Sequence, residues 1–357
     1  SKVKIIAEAG VNHNGNISTA KKMIVVASEA GADSIKFQSF KAEELVTKSA
    51  PKARYQLKNS SKKESQFEML KKLELSDFDH FLLKEECKKR NIEFLSTPFD
   101  MKSLKFLTEK LKLKTIKIPS GEITNLDLIL ESAKRKKKLI ISTGMSNLDE
   151  IELALSAAAF GYNANINLQP SLKKLRRAYL SPNGKESLYR NVTLLHCTTD
   201  YPAKYEDLNL RAINTLQKRF GLKVGYSDHS IGTEISISAV AMGAQVIEKH
   251  FTLSKKMDGP DHLASLEPNE LFEMIKSVRN LEKSFGNGIK KARKSELKNK
   301  KVARKSIVAA KEIKKGELIT KDMLKLKRPE TGLKPQQIWN LIGTKATKNY
   351  KEDETFK

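Results

Sequence analysis

The sequence predicts an α/β fold: a (β/α)8 TIM barrel over residues 1–285, a basic linker over 286–305 and a small β-rich C-terminal domain over 306–357. Three observations lead there. Short apolar runs alternate with helical stretches roughly eight times along the first 280 or so residues, as in a parallel sheet wrapped by helices. Polar and charged residues stand at the end of every apolar run, where a barrel builds its site. Past residue 285 the alternation stops and a glycine-containing basic stretch begins. A doubly wound sheet is the alternative reading of the same alternation.

The elements follow in order. Val3-Lys4-Ile5-Ile6-Ala7 reads as a buried strand. A helix starts at Ser18, with Met23, Ile24, Val26 and Ala27 on its apolar face and Gly31 placed as a left-handed cap. Ser34–Phe37 is the second strand. Ser76 and Asp79 form a capping box that opens a helix, for which Phe78, Phe81, Leu82 and Cys87 are the expected apolar face. Ile92–Leu95 is a strand and Met101–Leu111 a helix. Strands at Thr115–Ile118, Leu139–Ser142, Val192–Leu195, Lys223–Tyr226 and Gln245–Glu248 complete the set. Helices are expected around Leu128–Ala133, Glu150–Phe160, Arg211–Phe220, Glu234–Met242 and Glu270–Lys283.

Residues 161–190 are polar, with Pro170, Pro182 and Asn183-Gly184, and read as a surface insertion carrying a short helix near Leu172–Tyr179. The tail after Ser306 has short strands and turns such as Lys315-Gly316-Glu317. It is small for an independent core and is expected to dock on something.

Composition narrows the function. Lys+Arg 67 against Asp+Glu 42 leaves a net charge of +25, which fits nucleic acid, an anionic small substrate or a lysine-rich proteome. The basic run 286–305 lacks interleaved aromatics and any nucleic-acid motif, so it reads as a solvated linker and no nucleic-acid partner is expected. No apolar stretch is long enough for a membrane span and the N-terminus lacks a signal-peptide layout. Two distant cysteines, Cys87 and Cys197, make neither a disulfide framework nor a zinc cluster. A reduced, cytoplasmic protein is the expectation.

The strand ends carry the chemistry. Glu8 and Asn12-His13-Asn14-Gly15 follow the first strand, Lys36 and Gln38 end the second, and Thr97 lies at the third. The fourth presents Lys117 and Ser120-Gly121-Glu122, the fifth Ser142, the sixth His196, the seventh Ser227-Asp228-His229 and the eighth Glu248 and His250. Two lysines among small hydroxyl residues suit a phosphate or carboxylate, and a Schiff-base role for either lysine stays open. His229 and His250 end neighbouring strands and would suit a divalent metal with open positions, although each taken alone is more readily a structural histidine. Glu8, Glu122 and Asp261 could orient water or bind sugar hydroxyls, or simply pair with the lysines.

Taken together, these segments resemble the sialic acid synthases, of the bacterial N-acetylneuraminate type with a C-terminal antifreeze-like (SAF) domain. The resemblance is carried by Ile6–Gly15 (IAEAGVNHNG), Lys36-Phe37-Gln38, Ser96–Phe99, Lys117–Glu122, Ser142–Met145, Val192–Pro202 (VTLLHCTTDYP), Gly225–Ser230 (GYSDHS), Glu248–Thr252 (EKHFT), Gly259–His262 and, in the tail, Lys327-Arg328-Pro329. It implies that phosphoenolpyruvate condenses with open-chain N-acetylmannosamine and water to give N-acetylneuraminate and phosphate, by C–O cleavage. The alternative is legionaminate synthesis from 2,4-diacetamido-2,4,6-trideoxymannose.

The resemblance also implies roles. Lys36, Thr97, Lys117, Ser120, Ser142 and Ser227 would hold phosphoenolpyruvate. Gln38, Tyr201, Asp261 and Arg328 would contact the sugar. Glu8 and Glu122 would lie near the reacting centre, and His229 and His250 would bind a divalent metal, Mn²⁺ first, with Mg²⁺ or Co²⁺ as alternatives. Arg328 would act from the tail of the partner subunit in a swapped homodimer. Thr199 stands where the family can use an asparagine, and this leaves the sugar's identity open.

Overall fold

The computed structural model describes residues 2–52, 56–57, 64–163 and 168–357. The chain divides into two compact units, Ser1–Phe285 and Gly286–Lys357.

The first unit is a parallel barrel. Its strands are β1 Lys4–Gly10, β2 Ser34–Ser39, β3 Glu93–Pro98, β4 Thr115–Ile118, β5 Lys138–Ser142, β6 Val192–Cys197, β7 Lys223–Asp228 and β8 Val246–His250. They run β3-β2-β1-β8-β7-β6-β5-β4, every ladder is parallel, and β3 and β4 meet at the seam. Strand alternation explains the interior. Ile6, Leu95, Ile140, Leu195 and Val246 form an apolar layer in the barrel. Two residues further along the same strands stand Glu8, Thr97, Ser142, Cys197 and Glu248, all buried. Gly225 completes the packing at the apolar level, because a Cβ there would meet the Val246 carbonyl at 2.4 Å and the Leu195 side chain at 2.7 Å.

The outer face of each strand packs on helices. Helix Ile17–Glu29 buries Ala20, Met23, Ile24 and Ala27 and is capped by Asn16. Helix Asp77–Lys89 has the expected Ser76–Asp79 capping box, but it buries His80, Leu83 and Cys87. Phe78 and Phe81 are exposed instead, because the buried stripe is turned toward His80, whose ring bonds Ser39 and the Ser76 carbonyl. Met101–Leu111 is helical only to Lys105 and continues as a π-helical turn, Phe106–Lys110. Helix Gln66–Leu73, with a Ser65–Glu68 capping box, lies in a stretch where sequence periodicity named no element.

Residues 164–167 lie outside the described residues; the rest of the stretch 161–190 is largely helical rather than a surface loop. Helices Leu172–Leu180 and Pro182–Asn191 pack Leu175 and Leu188 into the barrel's core. The presumed linker contains helix Lys294–Ala303, which buries no residue. The second unit holds an antiparallel pair, β9 Ser306–Ala309 and β10 Leu324–Lys327. Contrary to the expectation for so short a tail, it has a small core of its own, around Ile307, Ile313, Ile319, Tyr350 and Phe356. Among the described residues no helix is long and apolar enough to cross a membrane.

Candidate active site

A cavity of about 360 Å³ opens at the carboxyl ends of the barrel strands. Its wall includes Glu8, Lys36, Gln38, Thr97, Lys117, Ser120 and Glu122 from the first four strands and their loops. Tyr201, Ser227, His229, His250 and Asp261 line it from the remaining loops and strands. Two expected residues are not on this wall. Ser142 is buried at the end of β5, and Arg328 lies in the second unit with an exposed side chain.

At the deep end, four charged side chains are almost fully buried. Lys36 Nζ lies 2.7 Å from Glu8 and 3.7 Å from Glu248, and it donates to Thr97 Oγ1 at 3.0 Å. Lys117 Nζ lies 3.2 Å from Glu248 Oε1, to which Ser227 Oγ also donates at 2.8 Å. Glu248 had only been noted as a strand end, yet it is the centre of this network. The signal for it was its position two residues before His250, on the same inward face of β8.

The two carboxylates differ because their neighbours differ. Burial raises the Glu8 carboxyl to about 7, helped by the Glu248 charge and against the pull of Lys36 and, more weakly, Lys117. Glu248 is equally buried, but Lys117 and Lys36 together with Ser227 hold it well below the usual range. Burial pulls the Lys117 ammonium down, while Glu248 opposes that shift. Glu8 is therefore the carboxyl that can carry a proton near neutrality.

His229 and His250 face each other with ring centroids 5.5 Å apart, and the Tyr201 ring lies 4.2 Å from His229. Burial depresses His229 to about 4 and, together with the neighbouring imidazole, takes His250 well below its ordinary value. Both rings are neutral at pH 7. His229 Nδ1 bonds the Thr198 carbonyl at 2.7 Å as donor, which leaves Nε2 as the acceptor; its neighbour Ser227 Oγ, at 3.4 Å, gives its proton to Glu248 instead. His250 Nδ1 is buried without a hydrogen-bond partner. Two neutral imidazoles, one oriented by a backbone carbonyl and one with an unsatisfied nitrogen, fit a divalent cation that keeps open positions. Among the described residues no group of three or more His, Cys, Asp or Glu is arranged to hold a metal.

The ends of β7 and β8 are fixed from outside the barrel. Lys249 and Asp228 point away from the cavity and pair at 3.0 Å with no exposure. Asp228 also accepts from Ser230 and Ser236. This locks the turn that carries His229 beside the strand that carries His250. At β1 a register shift between Glu8 and Gly10 bends the strand. Gly10 has φ +54, and a Cβ there would lie 3.4 Å from both Glu8 and His250.

The other strand-end histidines are satisfied locally. His13 Nδ1 accepts from Gly15 N at 2.9 Å, a bond that fixes its own turn. His196 Nε2 donates to the Leu208 carbonyl.

Asp261 supplies a test of the cavity's polarity. Burial raises its carboxyl from 3.8 to about 6. Its proton therefore favours folding fully below pH 3.8, and that contribution is lost as pH rises through 6. Asp261→Asn is expected to be more stable than the native chain by about 3 kcal/mol at pH 8, with the gap narrowing below pH 6. Denaturant unfolding at pH 5 and 8 checks this; a gap independent of pH would contradict it.

Comparisons with known proteins agree with this geometry. The NeuB family model matches residues 23–290 and the SAF domain model residues 304–357. The chain is 51% identical to an N,N′-diacetyllegionaminic acid synthase of Campylobacter jejuni, over 100% of this chain and 99% of that one. It is 44% identical to the protein of the same name from Legionella pneumophila, over 99% and 92%. Among solved structures it resembles an N-acetylneuraminic acid (sialic acid) synthetase from Leptospira borgpetersenii in complex with citrate, with TM-score 0.67, 34% identity and coverage of 84% and 90%.

Proposed function

Because the chain belongs to the NeuB family of nonulosonic acid synthases and is a transferase, we propose that it is an N,N′-diacetyllegionaminate synthase. It would condense phosphoenolpyruvate with open-chain 2,4-diacetamido-2,4,6-trideoxymannose and water, releasing phosphate. The observation that supports this sugar is full-length identity of 51% to a synthase of that name. N-acetylneuraminate, the product first expected from the sequence, becomes the second reading, supported by 34% identity to the sialic acid synthetase structure.

The buried lysines carry the chemistry of the deep end. Lys36 and Lys117 attract the carboxylate and phosphate of phosphoenolpyruvate, and Thr97, Ser120 and Ser227 add hydroxyl donors. Ser142, buried behind the wall, supports this layer. C3 of phosphoenolpyruvate forms the new bond to the aldehyde carbon, water adds at C2, and the C2–O bond breaks as phosphate leaves. Glu8 holds or releases a proton beside Lys36, and Glu122, bonded to Asn125 at 2.8 Å, offers a second carboxylate at the rim.

Gln38, Tyr201 and Asp261 face the sugar. His229 and His250 would hold a divalent cation, Mn²⁺ first, which when bound polarises the aldehyde oxygen. Arg328 would complete the sugar site from the tail of a second copy in a homodimer, and the reaction would run in the cytoplasm.

Phosphate release is the test. With Mn²⁺ present, the diacetamido sugar is expected to show a kcat/KM at least about tenfold above N-acetylmannosamine. The reverse order overturns the substrate, and no release from either sugar overturns the reaction.

A further inference from the structure

We infer that the apolar wall formed by Leu45, Val46, Leu70 and Leu73 selects a sugar whose far end is a methyl rather than a hydroxymethyl group. The inference rests on the proposed condensation. The cavity has two chemically different ends. The deep end is the charged layer of Glu8, Lys36, Lys117 and Glu248. The four aliphatic residues line the same cavity from outside the barrel strands, on helices Ala42–Leu45 and Gln66–Leu73 or just beyond them.

This wall is built rather than incidental. Leu73 packs in a small cluster with Val11, Phe40 and Met69, against which Leu45 and Leu70 lie. Helix Gln66–Leu73 is fixed by its capping box, by the Lys71–Glu43 ion pair at 2.7 Å, and by Glu74 accepting from Ala42 N at 2.6 Å. The four aliphatic side chains offer no hydrogen bond, and the two amides that line the cavity beside them, Gln56 and Gln66, bond each other at 3.4 Å.

Carbon–carbon bond formation places the aldehyde carbon against phosphoenolpyruvate, at the charged end. The opposite end of the open chain is then the part that reaches away from that layer, toward the wall. A C6 methyl gains by leaving water there. A C6 hydroxyl would leave water without a new partner. A hydrophobic surface rejects an added hydroxyl only partially, by about 10–100-fold, so the expected preference is of that size.

The experiment compares two sugar pairs, each differing only by the C6 oxygen: the 2,4-diacetamido sugars and the 2-acetamido sugars. In the native chain the 6-deoxy member is expected to have the higher kcat/KM by about 10–100-fold. Leu70→Asn places an amide on the wall. Val46→Thr keeps the volume, adds one hydroxyl and serves should the first variant fold poorly by circular dichroism. Either folded variant is expected to lower the deoxy preference at least about fivefold, mainly through KM. Equal use of both members by the native chain, or an unchanged ratio in both folded variants, overturns the inference. Turnover of the 2-acetamido pair alone would sink the diacetamido substrate while still reading the C6 preference.

Discussion

Lys36→Met is expected to lower phosphate release by about 10²–10³-fold, the scale seen when one preorganised charge-stabilising group is removed. It is also expected to destabilise the barrel by about 3–5 kcal/mol. The second effect follows from the partners. Lys36 neutralises Glu8 at 2.7 Å and Glu248 at 3.7 Å in a layer almost without solvent. Removing it leaves two buried carboxylates to share Lys117. Adding Glu8→Gln to Lys36→Met removes the orphaned charge and should restore much of the stability but not the rate. Steady-state phosphate release and denaturant unfolding on the two single variants and the double separate these effects. A Lys36→Met variant with native kcat/KM would show that the buried lysine does not serve the substrate.

His229→Ala is expected to weaken Mn²⁺ binding by about 100-fold or more, since changing even a group behind a metal ligand costs about 10–100-fold. Phosphate release would fall with it. Of the two imidazoles, His229 is the one oriented by a backbone carbonyl, through Nδ1 at 2.7 Å from Thr198 O. Its loss also removes the ring against which Tyr201 packs at a tilt, with centroids 4.2 Å apart. Equilibrium dialysis with Mn²⁺ alone separates metal loss from substrate loss. Native metal affinity in a folded His229→Ala chain would remove this residue from the metal site.

Much of the barrel was legible because each buried strand is a short apolar run closed by polar residues, and each helix has a 3.6-residue period. Those signals are local. The helix Gln66–Leu73 escaped because its short, lysine-rich surface hides an apolar face that matters only against Val11 and Phe40, residues far away in sequence. The face of helix Asp77–Lys89 was misread because aromatic Phe78 and Phe81 outweighed His80, whose burial depends on Ser39. The stretch 161–190 looked polar because its helices each contribute a single buried leucine, Leu175 or Leu188.

The site divides the same way. Lys36, Lys117, His229 and His250 could be picked out as unusual residues at strand ends. Alternation puts Glu248 on the same inward face as His250, but its pairing with Lys117 is set by the closure of the barrel, which brings β4 and β8 across from each other. Likewise Ser142 sits on the expected strand end but is not on the cavity wall, although Thr97 and Ser227, more buried still, are.

The layer of Ile6, Leu95, Ile140, Leu195 and Val246 has an effect that reaches beyond packing. It is a nonpolarisable backstop directly behind the lysines. Glu8 and Glu248 nearly balance Lys36 and Lys117, so what this medium preserves is a change in that balance. A proton taken up by Glu8 leaves a net positive charge whose field spreads poorly into the apolar layer and is focused outward through the solvent-filled mouth. Of a net +25 over the whole chain, that inward charge is the one the barrel turns into a directional lens.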